Sequence, residues 1–173
     1  MILTRLENIT VYRMHTPKWA SQPTSGLGAA KSGGRLNRPG IEALYLSLER
    51  ETAIQEYQRL SELLPPGLLV SYQVTVDPVV DFRQGYHAPE WDPVWEDFYC
   101  DWRELWFNQH IEPPSWLIGE TVISKGAKGV IFQSSLEPSG TNLVLYPKSY
   151  TDLDSIEVYD PNQSLPKNQA SWT

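Results

Sequence analysis

A chain of 173 residues with 40% hydrophobic and 12% aromatic content can bury one core, so a single globular unit is expected. Its 14 basic and 21 acidic residues leave a net charge of −7, which opposes sequence-independent binding to nucleic acid or anionic lipid. With Cys100 alone there is no intramolecular disulfide, no apolar run approaches the ~20 residues of a membrane helix, and no secretory leader pattern opens the chain, so a cytoplasmic setting is expected.

Thr10 to Met14 reads as a short strand. The stretch from Thr16 to Gly40 is rich in Gly, Ser, Pro and Lys without periodicity and reads as a long loop, a candidate binding loop because such loops often carry function. Ala43 to Ser47 reads as a buried strand. Ser47 is placed to cap a helix with Glu49 and Glu51 in its first turn and an apolar stripe of Ala53, Tyr57, Leu60 and Leu64 that Pro65 ends. From Leu69 to Val76 the pattern alternates, with Val70, Tyr72, Val74 and Val76 on the face predicted to be buried.

Asp92 and Pro93 open a predicted helix that runs to about Gln109, with Trp95, Tyr99, Trp102 and Trp106 along one side as core packing. Ser115 to Lys125 reads as a further helix closed by Gly126. Strands are expected at Gly129 to Gln133, Asn142 to Tyr146 and Ile156 to Tyr159, with a loop at Ser134 to Thr141. The sum is an α+β domain over 1–173, of short mixed sheets flanked by about three helices. Its core spans about 9–160 and its tail 160–173.

Within Ser32-Gly33-Gly34-Arg35-Leu36-Asn37 the glycines permit close backbone approach to a ligand and Arg35 can fork an anion, a combination suited to a pyrophosphate. A solvated turn is the commoner reading of such a loop, which is neither a Walker loop nor a dinucleotide fingerprint. Glu56 sits beside the apolar stripe, either solvated on the helix shoulder or aimed into a cleft, where its charge would stabilise an oxocarbenium-like centre. Ser134 ends a strand, as a functional group or an ordinary turn residue, and lies in no Gly-x-Ser-x-Gly motif. Arg13 is a second phosphate contact or an ion-pair partner, and Asn142 supports the loop after Ser134 or caps its turn. His15, His87 and His110 lack ligand spacing, so no metal site is predicted.

Four blocks in order, Ser32 to Asn37, Ala43-Leu44-Tyr45-Leu46-Ser47, Ala53-Ile54-Gln55-Glu56, and Gly129 to Ser134 leading to Gly140 to Tyr146, resemble the RES domain family, named for its Arg, Glu and Ser. The resemblance runs from about Val11 to Trp172 and takes in Tyr12-Arg13 and Pro114-Ser115-Trp116, with departures at Leu36 and Gln133. It implies a fold similar to ADP-ribosyltransferases and a toxin of a bacterial toxin–antitoxin pair that degrades NAD by hydrolysis or phosphorolysis, or that ADP-ribosylates a cytoplasmic protein. It places the family's catalytic set on Arg35, Tyr45, Glu56 and Ser134, the last followed directly by Ser135. The resemblance makes NAD the substrate, without a metal, and a helix-turn-helix antitoxin the partner; Arg35 and Tyr45 are then expected to bind NAD, with Arg13, Gly34 and Asn142 as further candidate contacts. A non-catalytic nucleotide-binding module is the alternative from another class, and the exposed aromatics are compatible with self-association.

Overall fold

The computed structural model describes residues 1–59 and 61–170. Six strands, β1 (Leu3–His15), β2 (Leu44–Ser47), β3 (Leu68–Phe82), β4 (Gly129–Gln133), β5 (Thr141–Leu145) and β6 (Ser155–Val158), form one sheet in the order β1-β2-β5-β4-β3-β6. Because β3 also pairs with β1, the first five close into a barrel-like circuit. Every pairing is antiparallel except β3 with β4. Three α-helices join it among the described residues: α1 (Leu27–Ser32), α2 (Arg50–Gln58) and α3 (Pro114–Ser124). The sheet is therefore mixed, as expected, but it is one sheet built on two long strands rather than several short ones.

The period-2 pattern of the strands separates two apolar clusters. Val130 and Phe132 of β4 and Val144 of β5 meet Trp95, Phe98 and Ile118 on one side. The intervening Ile131, Leu143 and Leu145 meet Leu44, Tyr72 and Val74 on the other. Val70, Tyr72, Val74 and Val76 are all buried, as their alternation requires. Gly126 takes φ +78° just past α3, the left-handed position that a closing glycine serves.

Three local expectations are corrected. The segment from Pro93 to Asn108 is not one helix but a 3-10 turn at Pro93–Asp97 and a π turn at Glu104–Asn108. Asp92 does cap it, accepting from the Val94 N–H at 3.1 Å. The ladder then breaks because the carbonyls of Phe98 and Cys100 are turned to the Arg35 guanidinium, each 3.0 Å from Nη1. Packing contributes as well, since Trp91, Trp95 and Phe98 gather around Phe82 at centroid distances of 4.5–5.0 Å. Of the expected stripe, Trp95 and Trp102 are buried as core, while Trp106 is half-buried and Tyr99 is exposed.

Ser47 lies inside β2 and caps nothing. Helix α2 begins at Arg50, and the Glu49 side chain accepts from Thr52 Oγ1 and from the Thr141 N–H. It ends at Gln58, where Arg59 takes φ +53°, so Leu64 is exposed and Leu60 lies outside the described residues. The stretch from Thr16 to Gly40 is ordered by a 3-10 turn at Pro17–Trp19 and by α1. Its end is tied by Asn37, whose amide donates to the carbonyls of Ala29 and Ile41, each at 2.9 Å. Trp172 lies outside the described residues.

Candidate active site

The loop that follows α1 is held backbone group by backbone group. Trp116 Nε1 donates to the Gly34 carbonyl at 2.7 Å, Ser115 Oγ to the Arg35 carbonyl at 2.6 Å, and the Tyr146 hydroxyl to the Leu36 carbonyl at 2.9 Å. The Leu36 N–H donates to the Tyr45 hydroxyl at 2.9 Å, and that hydroxyl donates to Asn37 Oδ1 at 2.8 Å. A Cβ on Gly34 would meet the Tyr45 hydroxyl and lie 2.5 Å from Asn37 Oδ1. Glycine is thus required there by the protein's own side chains.

Anchored in this way, Arg35 projects a guanidinium whose Nη1 is committed to Phe98 and Cys100, while Nε and Nη2 have no partner among the described residues. Burial lowers its pKa, against the opposing pull of Cys100, Tyr45, Glu56 and Tyr99. Tyr45 is half-buried with its hydroxyl doubly engaged, and burial pushes that hydroxyl far above its ordinary range, so it stays a neutral phenol.

On α2 the i, i+3, i+4 spacing puts Ala53, Glu56 and Tyr57 on the face that lines the same cleft. Glu56 Oε1 accepts from Asn142 Nδ2 at 2.6 Å and from Ser134 Oγ at 2.9 Å. Asn142 lies opposite Ser47 in the β2–β5 register, and Ser47 Oγ donates to Asn142 Oδ1 at 2.8 Å, which fixes which end of the amide faces Glu56. Ser134 Oγ also accepts from the N–H groups of Leu136 and Glu137 at 3.1 and 3.2 Å. The carboxylate is therefore aimed by two strands and a turn, with its side chain 27% exposed.

The cleft has a volume of about 360 Å³ and is lined by Arg13, Arg35, Arg59, Arg103, Tyr45 and Glu56, among others. In a molecule of net charge −7, four arginines thus line one cavity. Arg13 Nη1 is buried with no hydrogen-bond partner among the described residues, and burial lowers the pKa of Arg13. An unmet buried donor costs about 1–3 kcal/mol, which a fold retains where a ligand or a mechanism uses it. Burial, Arg59 and Arg35 push Arg103 down to about 10. A second cavity of about 490 Å³ adjoins the first and shares Arg35, Arg59, Trp102 and Arg103 with it.

Of the residues singled out in the sequence, Arg13, Gly34, Arg35, Tyr45, Glu56 and Asn142 line this one cleft. Ser134 is buried behind it and holds Glu56, and Ser135 takes the lining position. Asn142 reaches Glu56 and Ser47 rather than the loop after Ser134, which is tied instead by Ser134 itself. Arg13 forms no ion pair among the described residues, so its structural alternative is not realised.

Sequence reasoning missed Arg59 and Arg103, which stand outside any motif and enter the cleft only through tertiary placement. It also missed what Ser115 and Trp116 do, although their block was visible. Among the described residues no group of three His, Cys, Asp or Glu is arranged to hold a metal ion, and no helix is long and apolar enough to cross a membrane.

A family model described as RES domain matches residues 10–168. No curated protein matches the sequence. A chain in the crystal structure of the M. tuberculosis MbcT-MbcA toxin-antitoxin complex is similar with a TM-score of 0.57 and 17% sequence identity, over 90% of this chain and 84% of that one. At that identity the likeness is one of fold.

Proposed function

The chain belongs to the RES domain family, and on that premise we propose that it consumes NAD by breaking the nicotinamide–ribose bond, as the toxin of a bacterial toxin–antitoxin pair. The observation that carries the reading is the Glu56 carboxylate, oriented by Ser134 and Asn142, facing a cleft that gathers four arginines. When the bond from the ribose C1′ to nicotinamide breaks, the electron pair leaves on neutral nicotinamide and positive charge develops on the ribose. A fixed carboxylate nearby stabilises that charge, and water or phosphate then completes C1′. Arg35, with Nε and Nη2 unpartnered among the described residues, and Arg13 in the same cleft suit the pyrophosphate, because charge-assisted bonds to a guanidinium fork are strong and directional.

Two residues of the set take specific roles in this reading. The Tyr45 hydroxyl is engaged by Leu36 and Asn37, so the ring is the part that supports the nicotinamide half. Ser134 acts through Glu56 as a positioning residue. For the partner, the support is the family together with a fold neighbour that was itself crystallised as a toxin-antitoxin complex. An antitoxin of the helix-turn-helix kind would act by covering this cleft in the cytoplasm.

The test is to incubate the protein with NAD, with and without phosphate and with cell lysate, and to resolve the products by mass spectrometry beside Glu56→Gln. Nicotinamide release that is lost in the variant supports the reading. ADP-ribose, its phosphorylated form or a labelled protein then identifies hydrolysis, phosphorolysis or transfer. NAD left intact under every condition refutes it.

A further inference from the structure

We propose that Arg59 and Arg103, together with Arg35, form the clamp for the centre of a dinucleotide, with the nicotinamide riboside beside Glu56 and the adenine in the adjoining cavity against Tyr99 and Phe107. This rests on the NAD reading and extends it to residues that no motif of the chain marks. The two cavities share Arg35, Arg59, Trp102 and Arg103, so these residues stand at their junction. Only the first cavity is lined by Glu56 and Tyr45, and only the second by Tyr99 and Phe107. An elongated ligand that crossed the junction would therefore meet a carboxylate at one end, arginines in the middle and aromatic rings at the other.

Charge follows the same division. Arg103 is near enough to Arg59 and Arg35 for their charges to oppose its own, and no carboxylate among the described residues forms an ion pair with it. It lies over the Trp102 ring, 4.2 Å from the centroid, which holds the guanidinium in place without neutralising it. Arg59 reaches only Glu56, at 3.8 Å, from a backbone with φ +53° and ψ −125°, a conformation costly for a residue other than glycine. Beyond the shared residues the second cavity adds no arginine, only the acidic Asp101 and Glu104, and both are already engaged. Asp101 accepts from the Glu104 N–H at 3.1 Å, and Glu104 accepts from Asn108 at 2.5 Å and Gln109 at 3.3 Å. The arginines thus stand at the junction and, with Arg13, in the first cavity, while the second cavity adds none beyond the junction. That matches a ligand anionic at its middle and uncharged at its far base, and Tyr99 and Phe107, both substantially exposed, offer ring faces for stacking.

The experiment compares wild type with Arg103→Gln, Arg59→Gln, Phe107→Ala and Arg103→Lys, each checked for fold by circular dichroism. One measurement is kcat and KM for NAD and for nicotinamide mononucleotide, which keeps the scissile bond but lacks the adenosine half. The other is the Kd of ADP-ribose by calorimetry, which needs no turnover.

We expect Arg103→Gln and Arg59→Gln to weaken ADP-ribose binding about tenfold or more, and to raise KM for NAD by more than they lower kcat. Phe107→Ala should narrow the preference for NAD over the mononucleotide, and Arg103→Lys should recover part of the binding. Folded glutamine variants that bind ADP-ribose as wild type does would overturn the clamp, as would a wild type that does not bind it. A wild type that binds ADP-ribose with the expected variant losses yet leaves NAD intact would defeat the catalytic reading and leave the clamp standing.

Discussion

Acidification from pH 7 to about pH 4 should destabilise this protein through His15, by an amount the structure sets. His15 is 6% exposed at the end of β1, and its Nε2 is 2.5 Å from the Tyr72 hydroxyl. Tyr72 gives its single proton to the Pro23 carbonyl at 2.8 Å, so the imidazole is the donor, from Nε2, to the hydroxyl oxygen. Burial first, and the neighbouring Arg13 second, push its pKa from 6.5 down to about 4.

Because the folded value lies below the unfolded one, the stabilisation is fully present above pH 6.5. It is lost as pH falls through the interval, where the unfolded chain takes up a proton that the folded chain refuses. At about 1.4 kcal/mol per tenfold in acidity, the loss reaches about 3 kcal/mol by pH 4. Urea unfolding of wild type and His15→Gln at several pH values between 7 and 4 measures it. The variant should lose markedly less stability over the interval whatever its starting value. Parallel curves for the two proteins would show that His15 is not the group responsible.

Lys128 and Asp154 form a 2.5 Å ion pair with side chains 9% and 1% exposed, and Asp154 also accepts from Thr151 and Asp77. Burial alone would raise the Asp154 pKa, and these bonds together hold it below its ordinary value. Asp154→Ala should therefore cost about 3–5 kcal/mol in urea unfolding by stranding the ammonium, and Lys128→Met in the same chain should recover much of it. Ser134→Ala removes a donor to the Glu56 carboxylate, so kcat for NAD should fall about tenfold or more, while circular dichroism and the Kd of ADP-ribose stay near wild type. Gly34→Ala forces a Cβ against Tyr45 and Asn37. It should lower stability by about 1–3 kcal/mol and weaken ADP-ribose binding, and a variant as stable as wild type would contradict the contact.

What the sequence by itself determined is local. Alternation at Val70 to Val76 marks a strand because successive side chains must face opposite ways, and Gly126 ends α3 because the left-handed turn costs glycine nothing. The blocks around Arg35, Tyr45, Glu56 and Ser134 were legible as well, since each chemistry-bearing residue sits in a short, recognisable string.

Only tertiary structure decided the rest, since the competing interactions come from distant parts of the chain. The helix expected after Asp92 is broken where Arg35, more than sixty residues earlier, takes the carbonyls of Phe98 and Cys100. Ser47 joins Asn142 across a strand pair instead of capping α2, and that bond in turn orients Glu56. Arg59 and Arg103 carry no local signal at all. They become part of the cleft because sheet closure and the turn at the end of α2 bring three separate stretches to one wall, a convergence that no window of neighbouring residues encodes.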